Sequence, residues 1–104
     1  MFNIFKDLIG GSTTDLKAVI ENGATILDVR SPQEFAGGHV AGSINIPVSQ
    51  IDREMNRIKN FNNPIITCCA TGVRSGTAKN KLKAQGLEAY NGGGWISVNR
   101  LVNL

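Results

Sequence analysis

A chain of 104 residues that is 41% hydrophobic is long enough for one domain with one core and too apolar to be disordered. Its net charge of +3 and pI near 9.1 are only mildly basic, and no Lys/Arg run is interleaved with aromatics, which argues against a nucleic-acid surface. The cysteines, Cys68 and Cys69, are adjacent and the single histidine, His39, is distant, which excludes a disulfide framework and a zinc site and makes a reducing compartment, the cytoplasm, the expectation.

Met1 to Gly10 is apolar in places but carries Lys6 and Asp7. It lacks a basic leader and is too short to span a bilayer, so neither a signal peptide nor a membrane segment is expected. Phe2, Phe5 and Ile9 share a helical face that would cover an edge of the core. Ser12 to Asp15 supplies an N-cap and an acidic first turn for a helix whose apolar stripe is Leu16, Val19 and Ile20, and Gly23 stops it. Ala24 to Val29 is short, apolar and β-branched, as a buried strand is, and it ends at Asp28 and Arg30. Ser31-Pro32-Gln33-Glu34 starts a brief helix with Pro in its first turn, broken at Gly37-Gly38. Ile44 to Ile46 reads as a short strand. Ser49 then caps a helix from Ile51 to Ile58 with Ile51, Met55 and Ile58 on one face. After the polar turn Asn60–Asn63, Pro64 opens a strand through Ile65 and Ile66.

A helix runs from about Arg74 to Gln85, with Ala78 and Leu82 inward and Gly86 at its end. Of its lysines, Lys79 and Lys83 share a face and Lys81 points elsewhere, the pattern of a solvated surface. Leu87 to Tyr90 can make one more strand, Asn91-Gly92-Gly93-Gly94 a turn, and Trp95, Val98, Leu101 and Val102 a closing helix. Strands alternating with helices predict one α/β domain, a parallel sheet covered by helices on both faces. The domain is expected to span 1–104, with 1–11 an extension and the core at about 12–103.

The chemistry concentrates between the strand ending in Cys68-Cys69 and the helix after Gly72. A thiol there stands at the mouth of a tight loop, where backbone N–H groups and the positive end of a helix converge. The amides of Ala70, Thr71, Gly72, Val73, Arg74 and Ser75 are expected to surround it and, with Arg74, to hold its pKa below the free value of about 8.5. Gly72 supplies the backbone freedom to curl. Arg74 either pins the loop by bonding its carbonyls or contacts an anion directly, and pinning is the favoured reading. Cys68 is read as the last strand residue, a small buried side chain on the opposite face from Cys69.

Several blocks taken together resemble the rhodanese-like domain family. They are Ile26-Leu27-Asp28-Val29-Arg30-Ser31-Pro32-Gln33-Glu34-Phe35, Gly38-His39-Val40-Ala41-Gly42-Ser43-Ile44-Asn45-Ile46-Pro47, Cys69-Ala70-Thr71-Gly72-Val73-Arg74-Ser75 and Gly92-Gly93-Gly94-Trp95, in that order. The resemblance implies a sulfurtransferase without a cofactor or metal. Cys69 would take a sulfane sulfur from a small sulfur-containing anion such as thiosulfate, or from a persulfide, and pass it to cyanide or a thiol. A thioredoxin-like or other sulfur-relay protein would serve as partner, and the protein would act as a monomer without nucleic acid or membrane. Asp28 and Arg30 would support the loop, through a mutual ion pair or one from Arg30 to Glu34, and His39 would be structural.

Members that prefer thiosulfate often carry basic or polar side chains after the cysteine, whereas Ala70 and Val73 are apolar here. The family's phosphatase relatives have one more loop residue than the four between Cys69 and Arg74, so the cradle for a phosphatase or arsenate reductase is expected to be too small. That rival, and a non-catalytic docking module of the same fold, are the alternatives.

Overall fold

The computed structural model describes residues 15–104, so the Phe2–Phe5–Ile9 face and Ser12–Thr14 lie outside the described residues. Helix α1 is Leu16–Glu21, and Asp15 is its N-cap rather than part of its first turn: the carboxylate accepts from the Ala18 N–H at 3.1 Å. Strand β1, Thr25–Asp28, follows, and then α2, Pro32–Ala36. The Ser31 hydroxyl accepts from the Glu34 N–H while the Glu34 carboxylate accepts from the Ser31 N–H, a reciprocal cap that holds this one-turn helix. Strand β2 is Ile44–Asn45.

The expected helix from Ile51 to Ile58 is not continuous. Val48–Gln50 forms a 3₁₀ turn and only Met55–Ile58, α3, is α-helical; Ser49 makes no capping bond. Short i→i+3 bonds tighten the entry, Gln50 N–H to Pro47 C=O at 2.8 Å and Ile51 N–H to Val48 C=O at 3.3 Å. Ile51, Met55 and Ile58 are all buried nonetheless.

Strand β3, Ile65–Cys69, is buried throughout, so Cys69 and not Cys68 is the last strand residue. Helix α4 is Val73–Ala84, β4 is Ala89–Gly94, and α5 is Trp95–Val102. The stretch Asn91–Gly94, expected as a turn, is therefore strand. Asn91 pairs with Thr67, and after a bulge Gly94 pairs with Cys69. The glycines are there for proximity. A Cβ on Gly92 would lie 2.7 Å from Val98 Cγ2 and 2.8 Å from Ile66 Cγ2, and one on Gly94 would lie 3.0 Å from the Ala70 carbonyl oxygen.

The four strands are parallel in the order β2-β1-β3-β4. The order reverses direction between β1 and β3, and at such a point the carboxyl ends of the strands flank a crevice. Asp28 and Cys68 are register partners there. Helices cover both faces. Leu27, Ile65 and Cys69 pack with Ile51, Met55, Ile58, Ala78 and Leu82, and Ile26, Ile66 and Cys68 pack with Val98 and the α1 stripe. Each fully buried Ile or Leu stabilises the sheet by about 1.5–3 kcal/mol. Among the described residues no helix is long and apolar enough to cross a membrane.

Candidate active site

The period-2 alternation of β3 sends Cys68 and Cys69 to opposite faces, and their fates diverge. Burial pushes the Cys68 thiol up to about 12, with Asp28 adding to the rise. Cys69 lies under the β3–α4 loop. Its sulfur accepts the Gly72 N–H at 3.0 Å and the Ser75 N–H at 3.4 Å, and lies 3.4 Å from Ser75 Oγ. Burial by itself would raise this thiol and is the largest single influence. The Ser75 hydroxyl, the amides of Ser75 and Gly72 and that of Thr71 together outweigh it and bring Cys69 down to about 7.

Two expectations are corrected here. Of the six expected amides, those of Gly72 and Ser75 bond the sulfur, and that of Thr71 contributes to lowering its pKa. Val73 and Arg74 instead open α4, whose first turn leaves their N–H groups without helical partners. The sulfur also lies on the floor of the cradle rather than at its mouth: Cys69 is 0% exposed. The loop that follows it is open to solvent: Ala70, Thr71 and Val73 are exposed. Gly72 makes the curl possible with φ +106°, where a Cβ would also lie 3.3 Å from Gly93 Cα.

Ser75 and Asn91 knit the cradle to β4. The Ser75 hydroxyl donates to Asn91 Oδ1 at 2.7 Å, Asn91 Nδ2 donates to the Gly72 carbonyl at 3.0 Å, and the Gly93 N–H donates to Asn91 Oδ1 at 2.9 Å. From below, Thr67 Oγ1 donates to the Ser75 carbonyl at 2.8 Å. Asn91 is not marked in the sequence, because an Asn-Gly-Gly-Gly run has the composition of a turn. The available signal was a polar residue placed to run beside the carboxyl end of β3.

Arg74 neither bonds loop carbonyls nor points free. Its guanidinium forks onto Glu34, Nη1 to Oε1 at 2.7 Å and Nη2 to Oε2 at 3.1 Å. Arg74 and the Ser31 N–H together hold the Glu34 carboxyl down at about 2. Arg30 pairs with Asp28, not with the Glu34 carboxylate: Nη2 donates to Asp28 Oδ2 at 2.7 Å and Nε to Oδ1 at 3.0 Å. Its remaining donors reach the Gly38 carbonyl at 2.7 Å and the Glu34 carbonyl at 3.2 Å, with the guanidinium 4.8 Å from the centroid of the Trp95 ring.

The side chains of Asp28 and Arg30 therefore make no hydrogen bond to the loop. They fix α2, α2 presents Glu34, and Glu34 holds Arg74 at the head of α4. His39 stacks on Phe35 at 3.7 Å and its Nδ1 lies 2.7 Å from the Phe35 carbonyl oxygen, a local brace away from the sulfur. Lys81 bonds Asp52 at 2.9 Å. Among the described residues no three His, Cys, Asp or Glu side chains gather as metal ligands do. The arrangement can hold one sulfur as a thiolate near neutrality, with further N–H groups in reach for a second charged atom.

A family model described as rhodanese-like domain matches residues 12–96. The chain is similar to the uncharacterized protein YqhL of Bacillus subtilis (strain 168), 44% identical over 69 residues covering 65% of this chain and 54% of that one, so it spans about half that relative's length. It is also similar to the thiosulfate sulfurtransferase PspE of Escherichia coli (strain K12), 34% identical over 70 residues covering 65% of this chain and 67% of that one. Among solved structures, a rhodanese-related protein from Thermoplasma volcanium superposes with a TM-score of 0.68 at 37% identity, covering 83% of this chain and 84% of that one.

Proposed function

The chain belongs to the rhodanese-like domain family, and from that premise we propose that it is a sulfurtransferase carrying a sulfane sulfur as a persulfide on Cys69. The observation that carries the reading is the Cys69 sulfur at the head of α4, accepting N–H bonds from Gly72 and Ser75. A thiolate near neutrality is the nucleophile that sulfur transfer needs.

In the first half-reaction the Cys69 thiolate attacks the outer sulfur of thiosulfate. The new bond joins Sγ to that sulfur, the donor's S–S bond breaks, and its electron pair leaves with sulfite. With a persulfide donor, R–S–SH, the leaving group is the thiolate RS⁻. In the second, cyanide or an acceptor thiolate attacks the outer sulfur and Sγ leaves again as thiolate. The charge on the outer sulfur and on the departing group needs stabilisation, which the amides from Ala70 to Ser75 and the α4 N-terminus supply as preorganised donors. Ser75 also tunes the nucleophile, and Asp28, Arg30 and Glu34 position the cradle.

In this reading the core domain is about 12–103, with 1–11 an extension. The protein is a cytoplasmic monomer that needs no cofactor or metal, and it hands sulfur to a small thiol or to a thioredoxin-like or other sulfur-relay protein. Phosphate-ester attack is disfavoured, because the arginine such a loop requires is held by Glu34. Parallel assays test the proposal. Thiocyanate formation from thiosulfate and cyanide, or thiol release from a small thiol persulfide, is expected and is abolished in Cys69→Ser, while an aryl phosphate is not turned over. Turnover of the aryl phosphate, or of no sulfur donor at all, overturns it in favour of a phosphatase or a docking module.

A further inference from the structure

The charges beside the cradle are cancelled in pairs. Arg74, the only charged side chain between Cys69 and Gly76, is held bidentate by Glu34. Arg30 is consumed by Asp28, two carbonyls and the face of Trp95. Those four side chains sum to zero, so an ionised Cys69 leaves the pocket with one net negative charge. The cradle's own side chains add no cation: Ala70, Thr71 and Val73 are uncharged, and Val73 is 76% exposed. A dianion approaching this sulfur is met by amide dipoles and an apolar rim, without a free guanidinium.

We propose that Glu34 sets the donor class of the site: by neutralising Arg74 it selects a persulfide donor, which carries at most one negative charge at its outer sulfur and none in the reacting form R–S–SH, over a dianionic donor such as thiosulfate. The inference rests on the sulfurtransferase reading above. The step is balanced: the Cys69 thiolate bonds the outer sulfur, the R–S bond to that sulfur breaks, RS⁻ departs with the electron pair, and the proton stays on the transferred sulfur. Glu34 does not touch the donor. It is a positioning residue that acts through Arg74, whose guanidinium is close enough to Cys69 for the thiolate's charge to raise its pKa.

Glu34→Gln is the informative change. Gln retains the acceptor of the capping box with Ser31 and an acceptor for Arg74, but removes the charge that cancels the guanidinium. The test compares kcat/KM for thiosulfate with kcat/KM for a small thiol persulfide, in wild type, Glu34→Gln and the double variant Glu34→Gln/Arg74→Gln. The ratio of thiosulfate to persulfide efficiency is expected to rise about three- to tenfold in Glu34→Gln, the scale of one partly exposed charge. The rise should sit mainly in KM for thiosulfate and fade as ionic strength approaches about 1 M, where the screening length is about 3 Å. The double variant, again neutral, should return to the wild-type ratio. An unchanged or lowered ratio in Glu34→Gln, or a gain that survives in the double variant, overturns the role of Glu34 while leaving the sulfurtransferase reading intact. Failure of every donor in wild type overturns both.

Discussion

Ser75→Ala removes one donor to the Cys69 sulfur and leaves the backbone donors in place. The hydroxyl lies 3.4 Å from Sγ and 2.7 Å from Asn91 Oδ1, so its single proton is contested. A hydrogen bond to a charged acceptor contributes about 1.5–3 kcal/mol, and sharing places this one at the bottom of that range, about one pKa unit. Cys69 should then titrate near 8 rather than about 7. At pH 7 the thiolate fraction falls from about one half to about one tenth. The more basic thiolate is intrinsically more nucleophilic by about threefold, since the Brønsted slope is about 0.4–0.5. The net loss in alkylation rate at pH 7 is therefore only about twofold, and above pH 9.5 the variant should overtake wild type by about threefold. The diagnostic is the midpoint of the rate–pH profile with iodoacetamide, read on a Cys68→Ser background. The stability linkage has a matching sign. A thiol that ionises more readily folded than unfolded stabilises the fold in full above its unfolded value of about 8.5, and that increment is lost as pH falls through about 7. Ser75→Ala should shrink it. A midpoint that stays near 7, or moves down, refutes the assignment of the low pKa to this hydroxyl.

Asn91→Ala should move the same midpoint downward, because Ser75 then donates to the sulfur alone, while sulfur transfer slows as the Gly72 carbonyl loses its tie to β4; an upward shift contradicts this. Gly92→Ala drives a methyl into Val98 and Ile66 at under 3 Å and should lower stability by about 1–3 kcal/mol in urea unfolding, with no loss refuting the close approach. Arg30→Met leaves the fully buried Asp28 carboxylate without its partner and should cost about 3–5 kcal/mol, measured by the unfolding midpoint; a cost near zero would show that the pair does not brace α2.

The parallel α/β layering and the β3–loop–α4 unit were legible because each rests on local signals. These are β-branched runs for the buried strands, Ser31-Pro32 and Glu34 for the cap, and Gly72 before a helical stripe of Ala78 and Leu82. The opposite facing of Cys68 and Cys69 followed from strand periodicity alone. What escaped depends on tertiary neighbours. A glycine run carries the same composition whether it turns or is squeezed against Val98, Ile66 and Ala70, so β4 and Asn91 were hidden. The partner of Arg74 lies 40 residues away on α2, and spacing within the loop has nothing to say about it. Ile51, Met55 and Ile58 have helical spacing and are buried, yet the backbone enters through a 3₁₀ turn at Val48–Gln50 and runs as turn to Glu54 before α3 begins, because their burial constrains side chains more than it constrains hydrogen-bond pattern.

The central claim is that Cys69 carries the transferred sulfur, and intact-protein mass spectrometry with peptide mapping tests it most directly. After incubation with thiosulfate or a small thiol persulfide, the protein should gain the mass of one sulfur atom, mapped to Cys69, lost on adding cyanide, absent in Cys69→Ser and retained in Cys68→Ser. A gain that maps to Cys68, or that survives in Cys69→Ser, would contradict the account.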